Sequence, residues 1–260
     1  MRHDLAVHLL ERDGFLVSLA EYADSARVGE SRLVLIAGEA GVGKTTLVEA
    51  LPDRLDDARW AWGACDGSFT PQPLGPLFDI APQLGGALAE ACRDDAPRER
   101  LFRLLLEELS ASPTLTVVVI EDVHWADEAT LDLLRFLGRR LRRTKTLLLV
   151  TYRDDELPSD HPLRIAMGEL TTLRSTRRIS LPRLSQDAVD VLARGTEVEP
   201  TELYRFTGGN PFYVTEVLEA GCVQVPPSSR EAVLARVARL SGDARHLLEV
   251  GAVIGRRVER

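Results

Sequence analysis

The stretch from residue 33 to residue 47 constrains the fold of this chain more than any other. It begins with the apolar run LVLIA and continues with GEAGVGKT at residues 38–45, which fits the phosphate-binding pattern G-x-x-x-x-G-K-[ST]. The apolar run predicts a buried strand, and the residues after the glycines predict a helix over about 45–55. A strand, a glycine-rich loop and a helix in this order are typical of the phosphate-binding loop of α/β proteins.

The residue types of this loop suit a triphosphate, whose dense negative charge needs donors on all sides. Glycines allow the backbone N–H groups to approach closely, and the start of the next helix presents further unbonded N–H groups. Lys44 is expected to reach the β- and γ-phosphates, and the hydroxyl of Thr45 to ligate Mg²⁺. The predicted nucleotide-binding residues of the loop are Gly38, Glu39, Ala40, Gly41, Val42, Gly43, Lys44, Thr45 and Thr46.

The composition permits a sizeable core and argues against several kinds of partner. With 260 residues, of which 45% are apolar, the chain can form one large domain or two modest ones. A net charge of −8 argues against binding nucleic acid through the overall field of the chain. Three widely spaced cysteines predict reduced thiols, and no apolar run approaches the roughly 18 residues that span a membrane. We therefore expect a cytoplasmic protein without membrane contact.

Strands and helices are predicted to alternate through the first two thirds of the chain. Apolar runs predict further strands at 59–65, 116–120, 146–151 and 177–181. Periodic apolar positions predict helices at 5–27, 76–92, 98–110, 128–142 and 161–172. Alternation of this kind favours a parallel sheet with helices on both faces. The predicted fold class is therefore α/β, of the P-loop NTPase type.

An acidic pair follows the third predicted strand. Glu121 and Asp122 come directly after an apolar run, where a phosphate-binding site of this kind places the carboxylate of the Mg²⁺ shell. A second carboxylate can orient or deprotonate the attacking water. The pattern leaves open which residue does which, although Asp122 is preferred for the metal because the longer Glu121 reaches further towards a water. His124 and Trp125 are expected to pack the corner after the strand rather than take part in chemistry.

An arginine follows the fourth predicted strand. Ligands of parallel sheets bind at the carboxyl ends of the strands, so Arg153 is a candidate sensor of the γ-phosphate. The alternative is an ion pair between Arg153 and one of the three acidic residues that follow it, Asp154, Asp155 and Glu156. The predicted catalytic residues are Glu121, Asp122 and Arg153, and the predicted metal ligands are Thr45, Glu121 and Asp122.

The character of the chain changes after Leu181. No strand pattern follows, and helices are predicted at 185–194, at 199–206 and from the motif GGNPF to about residue 220. Two prolines at 226–227 mark a boundary, after which amphipathic helices are predicted at 228–240 and 242–254. The predicted domains are a nucleotide-binding domain at 1–182, a small helical domain at 183–225 and a truncated third domain at 226–260.

Five motifs occur in an order that resembles one family. They are LLERD at residues 9–13, GEAGVGKT at 38–45, VVVIEDVHWAD at 117–127, LLLVTYRDDE at 147–156 and GGNPF at 208–212. This order is similar to the STAND-type ATPase module of large LuxR-type transcriptional regulators, a branch of the AAA-like signalling ATPases. The resemblance implies that the nucleotide-binding domain is followed by a helical lid and by the start of a winged-helix domain.

The resemblance also implies roles for single residues. Arg153 matches a sensor arginine, Pro211 matches the lid proline that packs against adenine, and Arg12 matches an N-terminal residue near the base. From its spacing alone, Arg12 is better interpreted as a surface charge. In this family ATP and ADP, bound with Mg²⁺, act as a conformational switch for self-association, which an inducer or partner protein drives. DNA binding is implied only for a C-terminal domain of a longer parent protein.

The predicted function is accordingly an ATP-binding, slowly hydrolysing switch of a transcriptional regulator. One alternative is a constitutive AAA-type motor or loader, which should release the ADP that a switch retains. A second alternative is a kinase that uses the same loop. The acidic pair and the lack of a recognisable acceptor lid count against a kinase.

Overall fold

A computed structural model of the chain describes residues 9–67, 73–222, 234, 237–238 and 240–254. The chain divides into two compact units, Met1–Arg183 and Leu184–Arg260. The first unit contains a five-stranded parallel sheet with apolar clusters on both faces. The second unit is helical where the structure describes it.

The first unit alternates strands and helices along the chain. Its strands are β1 (Arg32–Ala37), β2 (Arg59–Ala64), β3 (Thr116–Glu121), β4 (Thr146–Tyr152) and β5 (Thr176–Ser180). Its helices are α1 (Asp13–Arg27), α2 (Lys44–Glu49), α3 (Gly75–Leu84), α4 (Gly86–Arg93), α5 (Arg98–Ala111), α6 (Glu128–Arg140) and α7 (Pro162–Thr171). The strand order is β2-β3-β4-β1-β5. Because all pairs are parallel, the segments that follow β1, β3 and β4 meet at one edge of the sheet.

Alternate residues of β1 pack on opposite faces of the sheet. Leu33 and Leu35 belong to one apolar cluster, which extends through helices α3 to α7. Val34 and Ile36 belong to a second cluster, which includes residues of α1 and α2. A strand buried on both faces has a continuous apolar run rather than an alternating one. The predicted α/β fold, with a parallel sheet between helices, is confirmed.

Three predicted helices are shorter or divided in the structure. The helix predicted at 5–27 begins at Asp13, and its residues 5–8 lie outside the described residues. The helix predicted over about 45–55 ends at Glu49, and a 3-10 turn follows at Pro52–Arg54, because proline cannot donate the next helical hydrogen bond. The helix predicted at 76–92 is two helices, α3 and α4, which meet at Gly85 with a φ of +71°. A glycine in this left-handed region ends the first helix and turns the chain.

Strand β2 forms one edge of the sheet, and helix α3 covers its open side. The side chain of Gln83 donates to the carbonyl of Trp62 (2.6 Å) and accepts from the N–H of the same residue (2.9 Å). The N–H of Ala64 donates to the carboxylate of Asp79 (3.2 Å). These bonds occupy backbone groups that an open edge leaves unpaired. They also fix Trp62 near the end of β3.

The second unit consists of short helices with side-chain caps. They are α8 (Gln186–Leu192), α9 (Pro200–Thr207), α10 (Pro211–Ala220) and α11 (Gly242–Ile254). Ser185, Glu199 and Asn210 cap the first three by accepting backbone N–H hydrogen bonds. The helix predicted at 228–240 lies mostly outside the described residues, so the winged-helix interpretation stays a prediction. Among the described helices, none is long and apolar enough to cross a membrane.

Candidate nucleotide site

The loop between β1 and α2 needs glycine at two positions. Gly43 has a left-handed φ of +93° immediately before α2, a conformation that L side chains adopt rarely. A Cβ atom at Gly38 would lie 2.8 Å from Cγ1 of Val42 and 3.2 Å from the carbonyl oxygen of Leu181. The glycines of the motif therefore make the loop compact enough to wrap around a small group.

Lys44 directs its ammonium group back into this loop. Nζ donates to the carbonyl oxygens of Gly38 (2.7 Å) and Glu39 (2.9 Å), and the residue is only 7% exposed. Burial lowers the pKa of Lys44, and the charge of Asp122 opposes the shift. The cation thus lies where the motif predicts the phosphate chain.

The other predicted loop residues differ in their exposure. Ala40 is half-buried and Gly41 exposed, Val42 is buried, and Thr46 lies half-buried in the first turn of α2. The carboxylate of Glu39 pairs with Arg183, whose Nε and Nη2 both donate to Oε2, at 2.9 and 2.6 Å. This ion pair ties the loop to the last residue of the first unit.

Glu121, the last residue of β3, accepts hydrogen bonds from two other segments. The hydroxyl of Thr45 donates to Oε1 (2.6 Å), and the indole N–H of Trp62 donates to Oε2 (3.0 Å). The structure thus brings Thr45 to Glu121 and not to Asp122. Which of the two acids serves the metal stays a prediction. Trp62 was not among the predicted site residues, because its contact depends on the pairing of β2 with β3.

Asp122 leaves the strand in a left-handed conformation, with a φ of +53°. Its Oδ1 lies 4.0 Å from Nε of Arg153 and 3.7 Å from Nδ1 of His124, while its backbone N–H donates to the hydroxyl of Thr151 (3.0 Å). Burial raises the pKa of Asp122, and the charges of Arg153 and Lys44 oppose the rise. The two consecutive carboxylates therefore have different surroundings.

Arg153 lies beside the acidic pair, just beyond the end of β4. Nη1 donates to Oε1 of Glu156 (2.7 Å), and the guanidinium carbon lies 4.9 Å from the centre of the Trp125 ring. The predicted ion pair with a following acidic residue is therefore present. The same arginine is next to Asp122 at the edge of the sheet, and its action as a sensor stays a prediction.

His124 lies against the same residues. Its side chain is 2% exposed, and its ring centre is 4.5 Å from that of Trp125. Nε2 lies 3.6 Å from Oε2 of Glu156. Burial, with a smaller effect from the charge of Arg153, lowers the pKa of His124 to about 4. The expected packing of His124 and Trp125 is present, but the histidine also faces two carboxylates, which its position in the sequence did not indicate.

Arg12 is buried, so its interpretation as a surface charge is wrong. The residue is 1% exposed, and Nη2 donates to the carbonyl oxygens of Pro182 (2.7 Å) and Val42 (3.4 Å). Burial lowers the pKa of Arg12. Val42 and Pro182 also line a cavity of about 400 Å³, which residues 154–155 complete on another side. That Arg12 lies near a nucleotide base stays a prediction.

Pro211 belongs to the second unit, where it begins helix α10 and is buried. The side chain of Asn210 caps this helix by accepting from the N–H of Phe212 (3.2 Å). A Cβ atom at Gly209 would lie 2.2 Å from the carbonyl oxygen of Leu184, so the GGNPF turn packs closely against the start of the unit. Contact between Pro211 and adenine stays a prediction.

Comparison with protein families and curated proteins found one matching family and one relative. Residues 8–150, more than half of the chain, match the family described as AAA ATPase domain. The chain is 25% identical to the uncharacterized protein R02095 of Rhizobium meliloti (strain 1021) over 316 aligned positions, which cover 96% of this chain and 30% of that protein. The chain thus spans less than a third of the length of this relative.

Two solved structures share the fold. The Orc1 protein of Aeropyrum pernix, in complex with DNA, has a TM-score of 0.55 at 15% identity, over 81% of this chain and 59% of that one. Cdc6p of Pyrobaculum aerophilum has a TM-score of 0.54 at 18% identity, over 80% of this chain and 60% of that one. At such identities the likeness concerns the fold alone. The match over residues 8–150 decides the family, and this chain belongs to the AAA ATPase domain family.

Proposed function

We propose that this chain is an ATP-binding, slowly hydrolysing switch module of a transcriptional regulator, whose ATP and ADP states differ in conformation and self-association. Membership of the AAA ATPase family supports nucleotide binding and ATPase activity. The observation that carries the proposal is the 2.6 Å hydrogen bond between the hydroxyl of Thr45 and Oε1 of Glu121. It joins the phosphate-binding loop to the acidic end of β3, the two parts that hydrolysis on this fold requires.

The loop fits a triphosphate by the chemistry of its donors. The first N–H groups of α2 have no acceptor within their own helix. Lys44 bonds the neutral carbonyl oxygens of Gly38 and Glu39, and an anionic phosphate oxygen attracts an ammonium group more strongly than these do. Lys44 is therefore the residue that would hold the phosphate chain at the loop.

The oxygen atoms beside the loop fit Mg²⁺. This ion prefers oxygen ligands, and the hydroxyl of Thr45 and the carboxylate of Glu121 are adjacent. We infer that these two residues hold Mg²⁺, which when bound neutralises charge on the β- and γ-phosphates. Trp62 binds the second carboxylate oxygen of Glu121 (3.0 Å) and so restricts the rotation of that carboxylate.

Asp122 is then the residue that acts on water. Among the described residues, no donor lies within hydrogen-bonding distance of its carboxylate, and His124 and Arg153 are 3.7 and 4.0 Å away. Such a carboxylate can accept a proton or a hydrogen bond from a water molecule. Its pKa, which burial raises, makes it a stronger base than an exposed aspartate. This assignment replaces the preference for Asp122 as the metal residue.

Arg153 links the nucleotide to the conformation of the chain in this proposal. It bonds Glu156 (2.7 Å) on the segment after β4. Arginine binds phosphate as well as carboxylate, so a γ-phosphate at this edge would compete with Glu156 for the guanidinium group. Loss of that phosphate on hydrolysis would return Arg153 to Glu156, which gives the segment two arrangements.

The finer assignment to a STAND-type module of LuxR-type regulators rests on the order of the five motifs. In this proposal an inducer or partner protein controls self-association in the ATP state, and Pro211 contacts adenine. DNA binding is assigned to a further domain of a longer protein. The rival function is a constitutive AAA-type motor or loader.

The nucleotide that stays bound separates a switch from a motor. We expect the purified chain to retain ADP, and to hydrolyse ATP well below the roughly 1 s⁻¹ at the slow end of ordinary enzyme turnover. The measurements are identification of the copurified nucleotide, steady-state turnover, and release of a fluorescent ADP analogue. Fast turnover with rapid ADP release would favour the motor. Absence of ATP binding in a calorimetric titration would contradict both.

A further inference from the structure

His124 occupies an unusual position between two acidic side chains. Nδ1 lies 3.7 Å from Oδ1 of Asp122, and Nε2 lies 3.6 Å from Oε2 of Glu156. The side chain is 2% exposed, and among the described residues neither ring nitrogen has a hydrogen-bond partner. Buried polar atoms are nearly always hydrogen-bonded, so a ring with both nitrogens unpaired needs an explanation.

The explanation lies in the single proton of a neutral imidazole. A buried site disfavours the charged form of histidine, the His124 side chain is 2% exposed, and a neutral imidazole carries one N–H group. Two ionised carboxylates both require a donor, and one N–H group serves only one of them. Glu156 already accepts from Arg153 at 2.7 Å. Asp122 accepts no hydrogen bond from a described side chain. A hydrogen bond from His124 would therefore stabilise the carboxylate of Asp122 more than that of Glu156.

We propose that His124 is a positioning residue, which orients the carboxylate of Asp122 for the attacking water through its Nδ1–H group. This inference rests on the proposed function, in which Asp122 acts on that water. Closing the separation of 3.7 Å to an ordinary charge-assisted hydrogen bond requires a movement of roughly 0.9 Å. When Arg153 turns to a γ-phosphate, its charge moves away from Asp122, and His124 is then the donor that keeps the carboxylate in place.

Three substitutions of His124 separate this role from simple packing. The amide nitrogen of Asn takes roughly the place of Nδ1, and that of Gln roughly the place of Nε2. Phe keeps the ring but has no N–H group. We expect single-turnover ATP hydrolysis to fall about tenfold in His124→Phe and His124→Gln, which is less than the roughly hundredfold or more that a general base itself contributes. His124→Asn should stay within about threefold of the parent, and ATP affinity should be unchanged in all three.

The inference would be overturned if His124→Asn hydrolysed ATP as slowly as His124→Phe, or if His124→Phe hydrolysed ATP at the parent rate. Melting temperatures show whether each variant is folded, and if His124→Phe is not, the comparison of Asn with Gln still decides. A parent chain that hydrolyses no ATP would instead contradict the proposed function.

Nitrogen-15 NMR of the nucleotide-free protein tests the tautomer separately from hydrolysis. The signals of His124 are those that disappear in His124→Asn. We expect the proton on Nδ1, with Nε2 unprotonated. A proton on Nε2 would direct the donor to Glu156 and would overturn the role assigned to His124, whatever the ATPase activity is.

Discussion

Glu121 and Asp122 are neighbours in the chain, yet their carboxylates have opposite surroundings. Glu121 ends β3 in the strand conformation and accepts from Thr45 and Trp62 at 2.6 and 3.0 Å. Asp122 turns into the left-handed region and faces Arg153 and His124 at 4.0 and 3.7 Å. The first carboxylate is fixed beside the loop, whereas the second is half-buried beside charged groups that do not hydrogen-bond it.

This difference supports the proposal that Glu121, whose carboxylate two donors hold, serves the metal and that Asp122 acts on water. A fixed carboxylate next to a hydroxyl presents two oxygens to a cation without rearrangement. A carboxylate with unfilled acceptor positions can take a hydrogen bond or a proton from water. A single change of backbone conformation at Asp122 separates the surroundings of the two carboxylates. The predictions below test the two sides of this separation, and Lys44→Ala gives the loss of affinity that does not depend on the metal.

The largest effect is expected on hydrolysis, when Asp122 is changed. Asp122→Asn keeps the shape but loses the basic oxygen, so single-turnover hydrolysis should fall about a hundredfold. ATP affinity in the presence of Mg²⁺ should stay close to that of the parent, because the base acts mainly in the transition state. Glu128→Gln, an acid-to-amide change at an exposed position in the first turn of α6, is the control. Hydrolysis at the parent rate in Asp122→Asn would end its assignment as the base.

Lys44→Ala should lower ATP affinity by about tenfold or more, which corresponds to about 1.4 kcal/mol or more. The loss should appear both with and without Mg²⁺, because Lys44 meets the phosphates directly. Lys145→Ala is a matched control, since Nζ of Lys145 also bonds a backbone carbonyl, that of Pro113 (2.7 Å), but just before β4, at the opposite end of the strand from Arg153. Calorimetric titration measures both affinities, and equal values for the two variants would contradict the role of Lys44.

Glu121→Gln should weaken ATP binding only when Mg²⁺ is present. Replacing one carboxylate oxygen by an amide removes a charge from the metal shell, and we expect a loss of about tenfold, or about 1.4 kcal/mol. Without Mg²⁺ the affinity should match that of the parent. The same calorimetric titrations, repeated with a chelator, separate this result from that of Lys44→Ala. An equal loss in both conditions would show that Glu121 acts on the fold of the loop and not through the metal.

The smallest effect concerns the second donor to Glu121. Trp62→Phe removes the indole N–H group but keeps an aromatic ring on β2, and the loss of one such hydrogen bond is worth about 1 kcal/mol. We expect Mg²⁺-dependent ATP affinity to fall by about threefold to fivefold. Trp60→Phe is the matched control, because Trp60 stacks on Trp62 at 6.4 Å from the same strand. If both variants lose affinity equally, the packing of the pair matters and not the hydrogen bond.

The sheet could be predicted from the sequence because its signals are local. Each strand is a short apolar run, and burial on both faces makes those runs continuous. The split between α3 and α4 also had a local signal in Gly85 and Gly86, which the helical periodicity of 76–92 concealed. The position of the loop between a strand and a helix could be predicted, because its conformation depends on glycines at fixed spacing.

The rest of the site depends on contacts between distant segments. The burial of Arg12 results from the backbone at Pro182, 170 positions away, which spacing within α1 cannot show. Trp62 reaches Glu121 only because β2 pairs with β3 in one register. The separation of the two carboxylates depends on the left-handed backbone at Asp122. This conformation is uncommon for residues other than glycine, and nothing in the motif indicated it.

Binding of Mn²⁺ in place of Mg²⁺ tests the central claim most directly, because its electron paramagnetic resonance signal reports the metal itself. Mn²⁺ would be titrated into the parent, Glu121→Gln and Asp122→Asn with a non-hydrolysable ATP analogue present. We predict that Glu121→Gln weakens Mn²⁺ binding by about tenfold or more, equivalent to about 1.4 kcal/mol or more, while Asp122→Asn leaves it within about twofold. The reverse order, with Asp122→Asn losing the metal and Glu121→Gln retaining it, would contradict the account.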